Sequence, residues 1–421
     1  MGRVSGGTSI STAMLARMAV IPDRRLPHRV TALGDSRVAA IHGDPDHRVL
    51  SNRSPLNWAN ALLGQRMSLL DTFGVPGDRT DQMMARIDAV IATGAGLLYL
   101  QGGLNDIAQR HPSPDSSGAV AADTLITLAE IAREAGMTVV MEAEVGSNSL
   151  DAGQVAQISE LNARLAAHVA ITPGVHLHDA RRAVLDPVAG DAGLLYRAGF
   201  SYDGVHPGGV GARAWGESLA VTLGALVPAG PSLLIANRSE LPANSRRQLL
   251  LNPIMTVTTG GSDDTGGTVP ACFVVERLGG ATATLSTRAD PDGMGNNTVI
   301  AAAFTAAGQQ VLFKQDVLPA NYAPGDVVQA FALLELLEAP TGLSGLFLNL
   351  NQWNGARGFD NMDLFGVDPV GPDQAMMLTL RTLPFTVRPG AGWLTAIVGA
   401  MAGRAGGARY AVRQIGVRRL P

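Results

Sequence analysis

The spacing of apolar residues changes once along this chain, and that change limits the folds open to it. From about residue 29 to residue 226, short apolar runs alternate with stretches of helical spacing. The runs at 30–33, 67–73, 96–100, 137–145 and 174–177 have strand length. Between them, residues 55–63, 80–91, 120–135, 155–169 and 209–226 repeat apolar side chains every three or four positions, as Ile158, Leu161, Leu165 and Val169 do. Such alternation predicts an α/β domain of three layers, a parallel sheet of about five strands with helices on both faces. The Pro/Gly-rich residues 227–231 end the pattern. Beyond them, strand-like runs at 255–259, 271–276, 281–286, 298–304, 327–336, 345–350, 376–381, 394–400 and 408–416 are separated by Gly, Pro, Asn and Asp clusters. That spacing predicts an all-β sandwich. The expected division is an N-terminal arm over 1–28, an α/β domain over 29–228 and a β-sandwich over 229–421.

Composition removes several function classes. Only 16% of residues are charged and the formal net charge is -4, which argues against a nucleic-acid binder. The one cysteine, Cys272, excludes an intramolecular disulfide framework and a cysteine-rich zinc site. A hydrophobic content of 46% excludes a mostly disordered chain. The apolar stretch 392–403 is shorter than the roughly 20 residues a membrane span needs. Arg17 interrupts the only apolar patch near the N-terminus, so no signal peptide is evident and the expected location is cytoplasmic or particle-borne.

Four polar blocks fall where the α/β pattern places the C-terminal ends of strands or the start of the last helix. Gly34-Asp35-Ser36 follows the first run and residues 74–80 follow the second. Gly102-Gly103-Leu104-Asn105-Asp106 follows the third, and Asp203-Gly204-Val205-His206-Pro207 precedes the last helix. Ligands and reactive groups gather at such strand ends in open α/β sheets. A serine hydroxyl needs an adjacent base to act as a nucleophile. His206 is the candidate base for Ser36, and Asp203, three residues earlier, is placed to orient the imidazole.

Taken in order, these blocks resemble the conserved blocks of the SGNH hydrolases of the GDSL type, over residues of about 29–226. The resemblance implies a serine esterase with Ser36, Asp203 and His206 as catalytic residues and no cofactor or metal. It also implies an oxyanion hole made by the Ser36 N–H, the Gly77 N–H and the Asn105 amide. Gly77 is preferred to Gly74, because Gly77-Asp78-Arg79-Thr80 fits the family's glycine block better. Asp35 and Asp106 read as carboxylates that fix their own loops. Arg37 departs from the smaller or apolar residue of many relatives; it reads as the partner of a nearby carboxylate or as a contact for an anionic substrate group.

Other candidates have plainer readings. The loop His42-Gly43-Asp44-Pro45-Asp46-His47 carries metal-ligand types but reads as a solvated lid, and His176 and His178 as satisfied structural histidines. Asp290-Pro291-Asp292-Gly293 lacks the next oxygen ligand of a calcium loop, since residue 294 is Met. The second half resembles jelly-roll carbohydrate-binding modules in strand density and in its Leu-Leu-Asn-Pro at 250–253. Trp353, flanked by Asn351, Gln352 and Asn354, is then either core or a sugar-stacking side chain. The expected activity is hydrolysis of a short acyl ester, such as acetyl on a polysaccharide, so an acetylated glycan is the expected partner. The alternatives are lipase or acyltransferase chemistry at the same site, and an attachment or structural protein of a phage-like particle in which the site is active or vestigial; the N-terminal arm is the expected means of homo-oligomer or particle assembly.

Overall fold

The computed structural model describes residues 26–188, 194–229, 232–240, 248–263, 267–354, 358–366, 371–390 and 392–421. The expected arm, apart from residues 26–28, and part of the 227–231 stretch lie outside the described residues. In chain order the first half runs β1 (Arg29–Gly34), α1 (Ser36–Ala39), β2 (Val49–Ser51), α2 (Pro55–Leu62), β3 (Ser68–Gly74), α3 (Thr80–Met84), α4 (Ile87–Ala92), β4 (Leu97–Gln101) and α5 (Leu104–Ala108). It continues with α6 (Ser117–Glu134), β5 (Thr138–Glu142), α7 (Ala152–Ile171), β6 (Val175–His178), α8 (Arg181–Val184) and α9 (Gly209–Leu226).

Five of these strands make one sheet in the order β3-β1-β4-β5-β6, all parallel. Alternate residues of each strand feed two cores. Leu98 and Leu100 face α6 and α7 with Leu125, Leu128, Ile158 and Leu161. Leu97 and Tyr99 face α2 and α9 with Leu56, Trp215 and Leu219. A sheet buried on both faces gives unbroken apolar strands, which explains why these runs stand out in the sequence. The chain therefore has the three-layer α/β/α fold. The stretch 80–91, expected as one helix, is divided into α3 and α4 around residues 85–86.

The second half contains β7 (Ser262–Asp263), β8 (Val274–Leu278), β9 (Thr282–Ala289), β10 (Asn296–Phe304), β11 (Gln310–Val317), β12 (Val327–Leu336), β13 (Thr341–Trp353), β14 (Gly358–Phe365), β15 (Met376–Arg381), β16 (Phe385–Thr386) and β17 (Trp393–Arg419). Residues 394–400 and 408–416, expected as two strands, are one strand 27 residues long. Residues 394–401 of β17 pair with β11 and 393–402 with β13, whereas residues beyond 405 pair with β10 and β12. One strand thus runs through both faces of an all-β domain. The bend lies at the glycines of residues 403–407: at Gly406 a Cβ would stand 2.1 Å from the Thr341 carbonyl oxygen, so only glycine fits. Leu334, Leu348, Val398 and Tyr410 fill the space between the two layers.

The two halves share a buried seam. β2 leaves the parallel sheet and pairs with β14 of the β domain. Trp58 and Ala61 of α2 belong to the core of the β domain. Asn52 donates to the Ser344 carbonyl at 2.8 Å, and Gln65 donates to Asp363 at 2.9 Å and to the Thr379 carbonyl at 3.0 Å. Arg381 donates to the Met67 carbonyl, and Arg213 pairs with Asp373 at 2.7 Å.

Candidate active site

The chain leaves β1 at Gly34 and turns at once into α1. Asp35 caps that helix, its carboxylate accepting the Arg37 N–H at 3.0 Å, as its sequence position suggested. The carboxyl is buried, and burial pushes it up to about 6 against the opposing pull of Arg37. Ser36 is the first residue of α1, so its hydroxyl stands at the end of β1 and its N–H belongs to the unpaired first turn of a helix.

The segment before α9 brings the histidine to this serine. His206 Nε2 lies 2.7 Å from Ser36 Oγ, and His206 Nδ1 lies 2.7 Å from Asp203 Oδ2. The other Asp203 oxygen accepts the N–H groups of Val205 at 2.9 Å and His206 at 2.7 Å, so the carboxylate shapes the loop that carries its partner. Burial acts upward on Asp203, but the hydrogen bonds from His206 and Val205 outweigh it and hold the carboxyl below its ordinary range. Ser201 closes the turn, donating to the His206 carbonyl at 2.6 Å and accepting the Gly204 N–H at 2.8 Å.

Gly77 and Asn105 stand at the ends of β3 and β4, on either side of β1. Gly77 has φ +83°, and a side chain there would meet nothing within 4 Å, so its backbone borders open space. Among the described residues no acceptor takes the Gly77 or Ser36 N–H. Asn105 donates one amide proton to the Asp78 carbonyl at 2.9 Å, which fastens the glycine loop to α5. Asp106 accepts the Thr80 N–H at 3.0 Å and its hydroxyl at 2.8 Å, the loop-fixing role expected from its position. Arg86 pairs with Asp78 and donates to the Gly34 carbonyl at 3.2 Å, tying the same loop to the end of β1. Gly74, the rejected alternative, packs under α1, where a Cβ would lie 2.1 Å from the Ala39 nitrogen.

Two expected substrate contacts lie elsewhere. Arg37 is 3% exposed and does not face solvent. Its guanidinium donates to Glu144 Oε1 at 2.5 Å, to the Gly146 carbonyl at 2.6 Å and to the Val205 carbonyl at 3.0 and 3.2 Å. These acceptors occupy its donors, so the substrate-contact reading gives way to the carboxylate-partner reading. Trp353 pairs across β13 and β17 with the half-exposed Trp393, ring centroids 6.1 Å apart, on the β domain and in no contact with Ser36 or His206.

His42 and His47 stack on each other at 4.1 Å, and among the described residues no group of three or more His, Cys, Asp or Glu side chains is arranged to hold a metal ion. Asp290 accepts from Arg413 at 2.9 and 3.1 Å, and Asp292 accepts from it at 2.5 Å. His178 is buried between Glu142 at 2.8 Å and Ser218 at 3.0 Å, a satisfied histidine. The sequence reading missed Glu144, Tyr196, whose hydroxyl donates to the Val205 carbonyl at 3.1 Å, and Tyr202, whose ring stacks on His206 at 5.8 Å with Arg53 over it at 4.2 Å. The position of Tyr202 four residues before His206 was the one local signal for it.

Residues 32–214 match the model of the GDSL-like lipase/acylhydrolase family. No curated protein sequence matches the chain significantly. Among solved structures, a GDSL-like lipase from Bacteroides thetaiotaomicron is 15% identical over 51% of this chain and 97% of that one, with a TM-score of 0.36. A catalytic mutant of an acetylxylan esterase from Geobacillus stearothermophilus is 14% identical over 48% of this chain and 95% of that one, with a TM-score of 0.39. Among the described residues no helix is long and apolar enough to cross a membrane. Over residues 32–214, its α/β part, this chain is thus similar to the GDSL-like lipase/acylhydrolase family, and the protein is a serine carboxylic ester hydrolase.

Proposed function

We propose that Ser36 is the nucleophile of this hydrolase, His206 its general base and acid, and Asp203 the group that orients His206. The observation that carries the reading is the unbroken relay from Ser36 Oγ to His206 Nε2 and from Nδ1 to Asp203, each step 2.7 Å. His206 takes the hydroxyl proton as Ser36 attacks the ester carbonyl. The tetrahedral oxyanion is received by the N–H groups of Ser36 and Gly77 and the second amide proton of Asn105. His206 then protonates the departing alcohol, leaving an acyl-serine. A water molecule, deprotonated by the same imidazole, releases the acid and restores Ser36.

The finer reading is a short acyl group, such as acetyl, carried by a polysaccharide. Residues 29–228 form the catalytic unit and residues 229–421 an accessory domain that holds the polymer. Support for the second role comes from one surface of the β domain. Trp353 and Trp393 lie side by side there, next to a cross-strand row of Asp316, Thr395, Asn351 and Asp360. Thr395 donates to Asp316 at 2.6 Å and Asn351 to Asp360 at 2.8 Å. Aromatic faces beside hydroxyl and carboxylate groups match the alternating apolar and polar faces of a sugar ring.

The test is a hydrolysis screen of p-nitrophenyl acetate, longer acyl esters and acetylated glycans with wild type and Ser36→Ala. Turnover should be highest on acetyl esters and vanish in the variant, and a fluorophosphonate probe should label Ser36. Residual turnover beyond a trace in Ser36→Ala, or labelling at another residue, overturns the assignment. Preference for long acyl chains overturns the acetyl reading alone. Trp353→Ala should weaken hydrolysis of the polymer and leave the small ester untouched.

A further inference from the structure

We propose that Arg37 is a positioning residue of the hydrolysis reaction, a buried clamp that fixes His206 relative to Ser36. The inference rests on the reading of Ser36 and His206 as nucleophile and base. Arg37 follows Ser36 in the chain, and its guanidinium grips the carbonyl of Val205, the residue before His206, through two donors at 3.0 and 3.2 Å. One side chain thus joins the segment bearing the nucleophile to the segment bearing the base, 168 residues away in sequence. The rest of the fork is anchored. Glu144 Oε1 takes one nitrogen at 2.5 Å and also accepts the Gly146 N–H at 2.8 Å, while the Gly146 carbonyl takes another nitrogen at 2.6 Å. Residue 144 is itself pinned by Asn162, which accepts its N–H at 2.8 Å and donates to its carbonyl at 2.9 Å.

A guanidinium is suited to this place by its planar set of donors, which reach three acceptors on two segments, Glu144 and Gly146 on one and Val205 on the other, at fixed angles. A buried arginine with its carboxylate is a weak source of net stability, since both charges must be stripped of water. Its value here is geometric. The Ser36–His206 hydrogen bond depends on two separate turns holding their distance, and near-attack geometry is lost with small displacements. Tyr196 supports the same carbonyl from another side at 3.1 Å, so the Val205 oxygen is held by two side chains.

The test compares wild type, Ser36→Ala, Arg37→Lys, Tyr196→Phe and the double variant Arg37→Met/Glu144→Gln on p-nitrophenyl acetate. The double variant removes both charges of the pair together, so Glu144 is not left buried as an unpaired carboxylate. Its kcat should fall about 10²-fold, the scale of a displacement near 1 Å. KM should change little, and fluorophosphonate labelling of Ser36 should slow in proportion to kcat. Arg37→Lys keeps the pair with Glu144, but one ammonium cannot span all three acceptors, so its kcat should lie between the two. Tyr196→Phe should cost more in the Arg37→Lys background than in wild type, because both side chains hold one oxygen. That coupling decides the matter if the double variant does not fold. Wild-type kcat in a folded double variant, a rise in KM with kcat retained, or strictly additive Lys and Phe effects overturns the clamp while Ser36→Ala still abolishes turnover. Turnover that survives Ser36→Ala overturns the nucleophile reading and the clamp together.

Discussion

Asn105 and Asp106 are neighbours on one short helix and serve different ends. Asp106 is buried and spends its oxygens on Thr80; burial raises its carboxyl despite those hydrogen bonds. Asn105 is half-buried and spends one amide proton on Asp78. Asn105→Ala should therefore lower kcat by ~10²–10³ with a smaller change in KM, the signature of a donor that acts on the transition state; steady-state kinetics on an aryl acetate decides it. Asp106→Ala should act first on stability, because the Thr80 N–H and hydroxyl lose their buried acceptors. A loss of about 1–3 kcal/mol is expected from denaturant melts. At this scale the sequence was informative about position: Ser36, Gly77, Asn105, Asp203 and His206 each fall at the end of an apolar run or the start of a helix, and the structure brings Ser36, His206 and Asp203 within hydrogen-bond distance. It was silent on Glu144, because the pairing with Arg37 spans 107 residues and no local pattern marks it.

The central strands β1, β4 and β5 of the parallel sheet were legible because both of their faces are apolar and covered. β14 was not, since its buried positions include Asn361 and Asp363, which break the apolar alternation that marks a strand. β2 escaped notice for another reason: three residues carry no periodicity, and its partner lies some 300 positions downstream. The glycines at 403–407 divide the apolar pattern into two runs, so a bend inside one strand reads as a turn between two. Gly406→Val tests that bend. Its first side-chain atom would collide with the Thr341 carbonyl, so the variant should lose cooperative thermal unfolding or fail to accumulate as folded protein. A melting temperature close to wild type would show that β17 can pass this point by another path.

At the scale of the whole molecule, the seam changes what a cut near residue 228 should do. The sequence suggests an independent α/β unit, yet Trp58, β2 and Gln65 are completed by the β domain. Residues 1–228 alone should be poorly soluble or molten, judged by near-ultraviolet circular dichroism and gel filtration; a stable, active fragment would show that the seam is dispensable. The same seam carries a titration. Asp363 is buried between Gln65 and the Arg381 backbone, and burial lifts its carboxyl from 3.8 to about 7. An acid with a raised pKa holds its proton more tightly when folded. It therefore favours folding fully at low pH, and that contribution is lost as pH rises from about 4 to about 7. Asp363→Asn should flatten this part of the stability profile in denaturant melts at pH 5, 6, 7 and 8. An unchanged slope would assign the titration elsewhere. The long shared strand has a consequence for how the protein is made. β17 follows β10, β11, β12 and β13 in chain order and lies between them in space. On a translating ribosome these four strands emerge first, with their apolar faces unmated, and neither layer can close until residues 393–419 have cleared the exit tunnel. Domains usually fold as units during synthesis, and exposed strand edges invite aggregation. Ribosome-bound chains halted before residue 393 should thus be protease-sensitive throughout the β region and bound by chaperones, and protection should arrive in one step once β17 is out.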